Sequence, residues 1–336
     1  MRLAAWNVAW FDALFDDAGG LLADDGPGGF AGARRGAQAA AVAEVLAALD
    51  ADALVVIEAP DARPGRAGLR ALERFAAAAG IRARKALVGF VNGTQQEIAL
   101  LYDPVRLTAR HDPQASEEAP RFDGRFRIDL DIDGRADTVQ FSKPPLEVAV
   151  TPAAGRPFRL IGVHLKSKAP RGARGSDAMK RVALAARRKQ LAQAVWLRRR
   201  IDAVLAAGEE LVVAGDLNDG PGLDELEALF GRSSVEIVMG GDGQVPLFDP
   251  HAHEALTRRI GAQRNTARFW VEPEGRWLSA LLDYIMVSPG LMAARPAWRI
   301  WHPFEDPACW GDPALRAALV AASDHYPVTL DLDPGG

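Results

Sequence analysis

Cysteine is nearly absent. Cys309 is the one cysteine in 336 residues, so no disulfide can form within the chain and no zinc site can be built from cysteines. Its expected role is that of a small, buried apolar filler. Long apolar runs are missing too. No segment approaches the ~18 residues needed to span a bilayer, and Met1 to Asn7 shows neither the apolar stretch nor the cleavage site of a secretory leader. The expectation is a soluble, cytoplasmic protein with no transmembrane segment. Neither charge is in strong surplus: 40 Lys and Arg stand against 44 Asp and Glu, a formal net charge of −4. That weighs against tight, non-specific capture of nucleic acid or an anionic membrane by global charge, and leaves local patches open. Internal repeats, heptads and Ser- or Gln-rich tracts are also lacking, which excludes repeat architectures and coiled coils.

What is there suits a packed core: 49% hydrophobic and 25% charged residues. Patterning predicts a buried opening strand over residues 2–8 and a mobile glycine-rich loop over 19–33. A helix follows with Val42, Val45, Leu46 and Leu49 on one face. Further strands are predicted at Ala53–Ile57, stopping at Glu58, and at Glu97–Tyr102, 127–133, 146–151, 158–164, Leu211–Ala214, Leu282–Val287 and Pro327–Leu332. Asp133 and Gly134 read as a tight hairpin turn. A helix over 67–79 closes at Gly80, and the longest helix runs from a cap at Ser176 to Ala207, with Leu184, Leu191 and Val195 sharing a face. Hairpin signals stand beside crossover signals without the regular beat of a barrel. The expected class is therefore α/β with mixed sheets, one domain over residues 1–336, since no linker-like stretch divides it.

The chemistry is written at strand ends. Apolar strands repeatedly run out into an acid, amide or imidazole: Trp6-Asn7, Ile57-Glu58, Val163-His164, Ala214-Gly215-Asp216-Leu217-Asn218 and Ser323-Asp324-His325, with Asp283 placed inside a strand. Taken singly, an Asn or Asp after a strand is a turn former and a lone His is structural. Together they make a hard-cation site. Magnesium takes oxygen ligands from carboxylates and amides, and Asn7, Glu58, Asp216, Asn218 and Asp324 supply them. A phosphodiester brings its own negative charge, which His164, Asn218, Lys166 and Lys168 can meet as donors. Asp216 and Asn218, two apart in an extended segment, point the same way, and Gly215 before them allows close backbone approach.

Six strings, in order and spanning nearly the whole chain, carry a resemblance: W-N-V at 6–8, I-E-A at 57–59, G-V-H-L-K-S-K at 162–168, G-D-L-N-D at 215–219, L-D-Y-I-M-V-S at 282–288 and S-D-H-Y-P-V at 323–328. With them the sequence resembles the endonuclease/exonuclease/phosphatase family, the DNase I-like metal-dependent phosphoesterases. The resemblance implies a four-layer sandwich, two mixed sheets packed face to face and flanked by helices, with the site at one edge. It implies Mg2+, with Mn2+ as substitute, held by Glu58 with Asn7 beside it and Asp324 at the metal or its water shell. Asp216 would position or deprotonate the attacking water, Asn218 would hold a phosphate oxygen and His164 would donate to the phosphate. His325 would touch the scissile phosphate or act as base, with Asp283 fixing its imidazole; patterning leaves Asp216 and His325 both open as the base. One departure stands out: Ile57 occupies the place where the family usually has Gln before the metal-binding Glu. Glu97, at the start of its strand, is positioned to pair with His164 as an acid does in the DNase I-like branch.

Substrate is written less sharply. Residues 166–200 carry twelve Lys or Arg and one acid, Asp177. The run reads either as a track for a nucleic-acid backbone or as a solvated helix face. Alternation points Lys166 and Lys168 to one side, towards phosphate, while Arg34 and Arg35 serve either substrate or solubility. Trp298, Trp301, Phe304 and Trp310 read as core packing, with base stacking or lipid contact as the functional alternatives. His251 and His253 read as surface residues. The leading expectation is a nuclease acting on nucleic acid. A phosphatase or sphingomyelinase-like phospholipase stays open beside it, and so does a catalytically silent binding module with the same fold.

Overall fold

The computed structural model describes residues 1–130, 137–168, 176–220, 231–257, 263–271 and 275–333. Its strands are β1 (Arg2–Asn7), β2 (Ala53–Ala59), β3 (Lys85–Val88), β4 (Glu97–Tyr102), β5 (Leu107–His111), β6 (Phe126–Ile128), β7 (Asp137–Val139) and β8 (Leu146–Pro152). They continue as β9 (Phe158–His164), β10 (Leu211–Asp216), β11 (Ala267–Val271), β12 (Arg276–Ala280), β13 (Asp283–Val287), β14 (Ala297–Ile300) and β15 (Val328–Asp331). The longer helices are α1 (Arg35–Leu49), α2 (Gly68–Ala78) and α3 (Ser176–Ala206).

A six-stranded sheet runs in the order β14-β15-β1-β2-β4-β3 and a five-stranded sheet in the order β13-β10-β9-β8-β5. Each holds one parallel pair, β1 with β2 and β9 with β10; the remaining neighbours are antiparallel. A parallel pair needs a crossover, and α1 and α3 supply the two. Both sheets are therefore mixed, as expected for the DNase I-like sandwich.

Period-two alternation divides the core. On β2, Ala53, Val55 and Ile57 join a buried cluster that continues through Leu146, Val148, Leu160 and Val163 of the second sheet. Leu54 and Val56, pointing the other way, join Ala4, Trp6 and the predicted α1 stripe of Val42, Val45, Leu46 and Leu49. Burying each such aliphatic side chain is worth about 1.5–3 kcal/mol, so register is strongly fixed. The sheets approach closely at Gly162, where a Cβ would lie 3.0 Å from both Ile98 Cγ2 and Val55 Cγ1.

Several expectations are revised. β2 does not stop at Glu58 but passes through it, with a register shift between Ile57 and Ala59. The 19–33 loop is stitched rather than loose: Leu22 N donates to Leu14 O, Gly28 N to Ala33 O, and Gly29 N to Gln38 Oε1. On α3, Leu191 is buried as predicted, but Leu184 is 38% exposed and the buried face is carried by Ala194, Trp196, Leu197, Ile201 and Val204. The Asp133-Gly134 turn lies outside the described residues. No helix among the described residues is long and apolar enough to cross a membrane.

Candidate active site

Because β1 and β2 are parallel, and β9 and β10 are parallel, their C-terminal ends lie along one edge of the two sheets. Antiparallel neighbours begin at that same edge. Asn7 ends β1, His164 ends β9 and Asp216 ends β10, while Asp283 opens β13 directly opposite Asp216. His325 enters the same edge just before β15, held by its backbone: His325 N donates to Ser323 Oγ at 3.1 Å and Trp6 Nε1 donates to His325 O at 2.9 Å. Glu58 sits in the irregularity of β2 with φ +61°, and Asn218 follows β10 with φ +50°. Non-glycine residues avoid this region, and bulges that re-aim a side chain cluster beside active sites. Gly215 has φ +136° and would drive a Cβ to 2.2 Å from Val163 O, so only glycine lets the strand bearing Asp216 approach β9.

These elements enclose a cavity of about 410 Å³ lined by Asn7, Trp10, Phe30, Glu58, Gln96, Lys143, His164, Lys166, Asp216, Asn218, Asp324 and His325. Asp216 Oδ2 accepts from Asn7 Nδ2 and Asn218 Nδ2, both at 3.1 Å, and Oδ1 accepts from the Asn218 backbone at 2.7 Å. His164 Nε2 lies 3.6 Å from Asp216 Oδ2 and 3.9 Å from Glu58 Oε1. Glu58 Oε2 accepts from Trp10 N at 2.8 Å. His325 Nδ1 meets Asp283 Oδ2 at 2.8 Å, and Thr266 Oγ1 donates to the same oxygen at 2.8 Å.

Two neighbouring groups are both driven upward, which favours the neutral carboxyl in one and the charged imidazole in the other. Burial, then the negative charge of Asp283, pushes the Asp216 carboxyl up to about 7. Burial alone would lower His325, but the charge and hydrogen bond of Asp283 outweigh it and hold the imidazole well above its ordinary value. Among the described residues Asp216, Asp283 and His325 bring their ligating atoms within 4.8 Å of one another. His325 and Asp283 already spend their facing atoms on each other, so this trio has the character of an acid–base unit rather than an ion cage.

The oxygens suited to a hard cation lie elsewhere in the cavity. Glu58 Oε1 and the Asp324 carboxylate accept no hydrogen bond among the described residues, and Asn7 Oδ1 accepts one, from Ala9 N at 3.0 Å. Three oxygen donors at the cavity wall fit a divalent ion that keeps several of its own waters.

Asn7, Glu58, His164, Lys166, Asp216, Asn218, Asp324 and His325 are thus gathered on one cavity, with Asp283 behind His325. Lys168 is not among them: β9 ends at His164, strand alternation lapses, and Lys168 Nζ turns to the buried Asp219 at 2.8 Å. Glu97 is also elsewhere, fully buried against the side chain and backbone of Asn92 and the backbone of Ala62, where burial raises it to about 7. Ile57 packs into the inter-sheet core, and the Trp10 backbone holds Glu58 instead. Three cations of the basic run are neither a track nor a solvated face, whereas Lys180, Arg181 and Arg199 are exposed. Arg187 bonds Asp219 and Gln190; Arg198 bonds Asp202 and the carbonyls of Val238, Met239 and Val245; Arg200 reaches Glu147 and the carbonyls of Gln114, Ala119 and Pro120. All three are buried. Arg35 pairs with Asp24 at the surface. Trp301 packs in the core as expected, whereas Phe304 and Trp310 are exposed. His253 is exposed, His251 half-buried, and Cys309 fully buried.

Three contributors escape the sequence pattern. Lys143 Nζ lies 2.8 Å from His164 Nε2, and because an ammonium can only donate, that nitrogen accepts. Thr266 orients Asp283, receiving the backbone N–H groups of Leu282 and Asp283 while donating to its carboxylate. Gln190 of α3 donates to the carbonyls of Leu217 and Asn218 and so pins the loop after β10. Lys143 lies outside any strand, where spacing carries no direction, and the other two carry no signal beyond polarity.

Residues 4–325 match the model of the Endonuclease/Exonuclease/phosphatase family. No curated protein matches the sequence. Solved structures similar to the chain include truncated TDP2 from Caenorhabditis elegans, at 14% identity over 98% of this chain and 96% of that one, TM-score 0.51. TDP2 from D. rerio, complexed with a single-strand DNA product, is 15% identical over 98% and 97%, TM-score 0.51. The 3′ phosphatase NExo from Neisseria, bound to a product DNA hairpin, is 16% identical over 99% of both, TM-score 0.50. At these identities the likeness is one of fold.

Proposed function

Because this chain belongs to the endonuclease/exonuclease/phosphatase family of metal-dependent phosphoric ester hydrolases, we propose that it is a magnesium-dependent phosphodiesterase that cuts nucleic acid by in-line attack of water. The observation that carries the reading is the pairing of Asp216, raised to about 7, with His325, held well above its ordinary value, on one cavity. A carboxyl brought near neutral pH beside an imidazole kept charged allows acid–base labour to be divided between them.

Asp216 is the base. Its carboxylate, poised near neutral pH and steered by Asn7 and Asn218, takes a proton from water as the water oxygen bonds to phosphorus and the ester P–O bond breaks. His325, kept as imidazolium by Asp283, offers Nε2–H to a phosphoryl oxygen and stabilises the charge collecting there. Lys143, Lys166 and Asn218 line the same wall and meet the remaining oxygens, with His164 accepting from Lys143 behind them. Glu58, Asn7 and Asp324 would hold the Mg2+, which when bound polarises the phosphoryl group. Mn2+ would substitute. The assignment of substrate is supported by the cationic lining and by the DNA products bound to the D. rerio and Neisseria proteins. The reading takes residues 1–336 as one domain, in keeping with the span of the family match, and the cytoplasm as its setting, in keeping with a single, buried cysteine.

Hydrolysis of a plasmid and of bis-p-nitrophenyl phosphate, side by side in Mg2+ and in EDTA, tests this. Both substrates should be cut in Mg2+ and neither in EDTA. Full activity in chelator removes the metal, and cleavage of the small diester alone removes nucleic acid in favour of a small or lipid phosphate.

A further inference from the structure

A second cavity of about 410 Å³ adjoins the first, sharing Phe30, Ala31 and Asp324 with it. It is built on the β11–β12 hairpin. Alternation sends Ala267 of β11 and Ala280 of β12 inward onto Leu282, and sends Arg268, Trp270 and Trp277 to the outer face. Trp270 and Trp277 stand directly opposite in register, their ring centroids 5.7 Å apart at 70°, and they are 43% and 54% exposed. The Arg268 guanidinium lies 4.8 Å over the Trp277 ring and 6.0 Å from that of Phe304, itself 45% exposed. Aromatic faces and a cation thus share one open groove.

The groove is indexed to the chemistry. Arg268 N donates to Asp324 O at 2.8 Å, and Tyr326 N donates to Thr266 O at 2.6 Å, so the hairpin is zipped to the segment that carries His325. Thr266, one residue before β11, also orients Asp283. A group lying on the tryptophans therefore sits at a fixed offset from the phosphate held by His325.

We infer that this groove stacks an unpaired nucleobase next to the scissile phosphate, making the enzyme selective for single-stranded over duplex nucleic acid. The inference rests on the nucleic-acid reading above. Flat π-faces suit any base, a guanidinium between rings suits both a base and its flanking phosphate, and a paired base keeps its faces inside the duplex. A lipid surface is the weaker occupant, because the sequence joining the two strands carries Glu272 and Glu274, which resist insertion among headgroups.

The test compares wild type, Trp270→Ala/Trp277→Ala and Trp277→Phe in Mg2+. Three substrates are used: a single-stranded oligonucleotide, the same sequence as a duplex, and bis-p-nitrophenyl phosphate. The double variant should raise KM for the single strand about ten- to hundred-fold, the range for loss of base stacking, with kcat nearly kept. Trp277→Phe should retain most of the affinity, and hydrolysis of the small diester should be unchanged, which also shows that the fold survives. If the single strand is cut with unaltered KM in the double variant, or if that variant loses binding to phosphatidylcholine vesicles instead, the groove is not a base platform although the nuclease reading stands. If wild type cuts the small diester and neither form of the oligonucleotide, the nucleic-acid reading fails and the inference with it.

Discussion

Replacing Asp283 by Asn keeps the shape of the side chain and removes its charge, and the consequence can be worked from the geometry. In the wild type the Asp283 charge and its 2.8 Å hydrogen bond overcome burial to hold His325 protonated. Without them His325 drifts back towards its ordinary pKa near ~6.5, where only about 3% of it is charged at pH 8, a roughly thirty-fold loss of the cation. The lost charge-assisted hydrogen bond, worth about 1.5–3 kcal/mol, also loosens the ring and adds roughly another ten- to hundred-fold. Asp283→Asn should therefore cost about three orders of magnitude at pH 8. The charge of Asp283 is also the second cause, after burial, of the raised carboxyl of Asp216. Its removal lowers Asp216, so the base stays ionised further into acid. Both effects have the same sign: the variant's optimum shifts to lower pH, and its deficit shrinks there. The assay is kcat/KM for bis-p-nitrophenyl phosphate from pH 5.5 to 9 in Mg2+. A loss under ten-fold with an unmoved optimum would refute the clamp, and activity at pH 8 equal to or above that of the wild type would mean that His325 works neutral, as the base.

Two other variants probe the surroundings. Lys143→Ala removes the ammonium beside His164 and should lower kcat about a hundred-fold, the usual cost of one donor to a charged transition state; an unchanged kcat with raised KM would assign Lys143 to ground-state binding alone. Gly162→Val forces atoms between sheets where a Cβ already meets Val55 and Ile98 at 3.0 Å, and should destabilise by about 1–3 kcal/mol. A urea midpoint equal to wild type would show that the sheets separate there without cost.

The strand-end residues were legible because burial and chemistry coincide at them. Taken together, apolar runs ending in Asn7, His164 and Asp216 read as central strands delivering polar groups to an edge, and the helices placed between such runs are the crossovers of the two parallel pairs. What the sequence hid falls into two physical kinds. Edge strands β3, β5 and β14 are half solvated and short, so their alternation is blurred; β5 buries only Leu107 fully. Long-range polar pairing was the other. Twelve cations near His164 suggest a polymer track, yet Arg187, Arg198 and Arg200 answer carboxylates and carbonyls brought to them by loops far along the chain. Lys166 and Lys168 were read by an alternation that holds only inside a strand, and the strand ends two residues earlier. Lys143 reaches the cavity from an irregular segment, where spacing carries no direction.

The proposed mechanism turns on activation of water by Asp216 in this cavity. Asp216→Asn keeps the shape of the side chain and one of its two acceptor oxygens while removing the basic carboxylate, and its turnover of bis-p-nitrophenyl phosphate at pH 8 in saturating Mg2+ is the measurement to make. Turnover should fall by about two to four orders of magnitude in a variant that melts with the wild type. Near-normal turnover would contradict it and move the base to another residue.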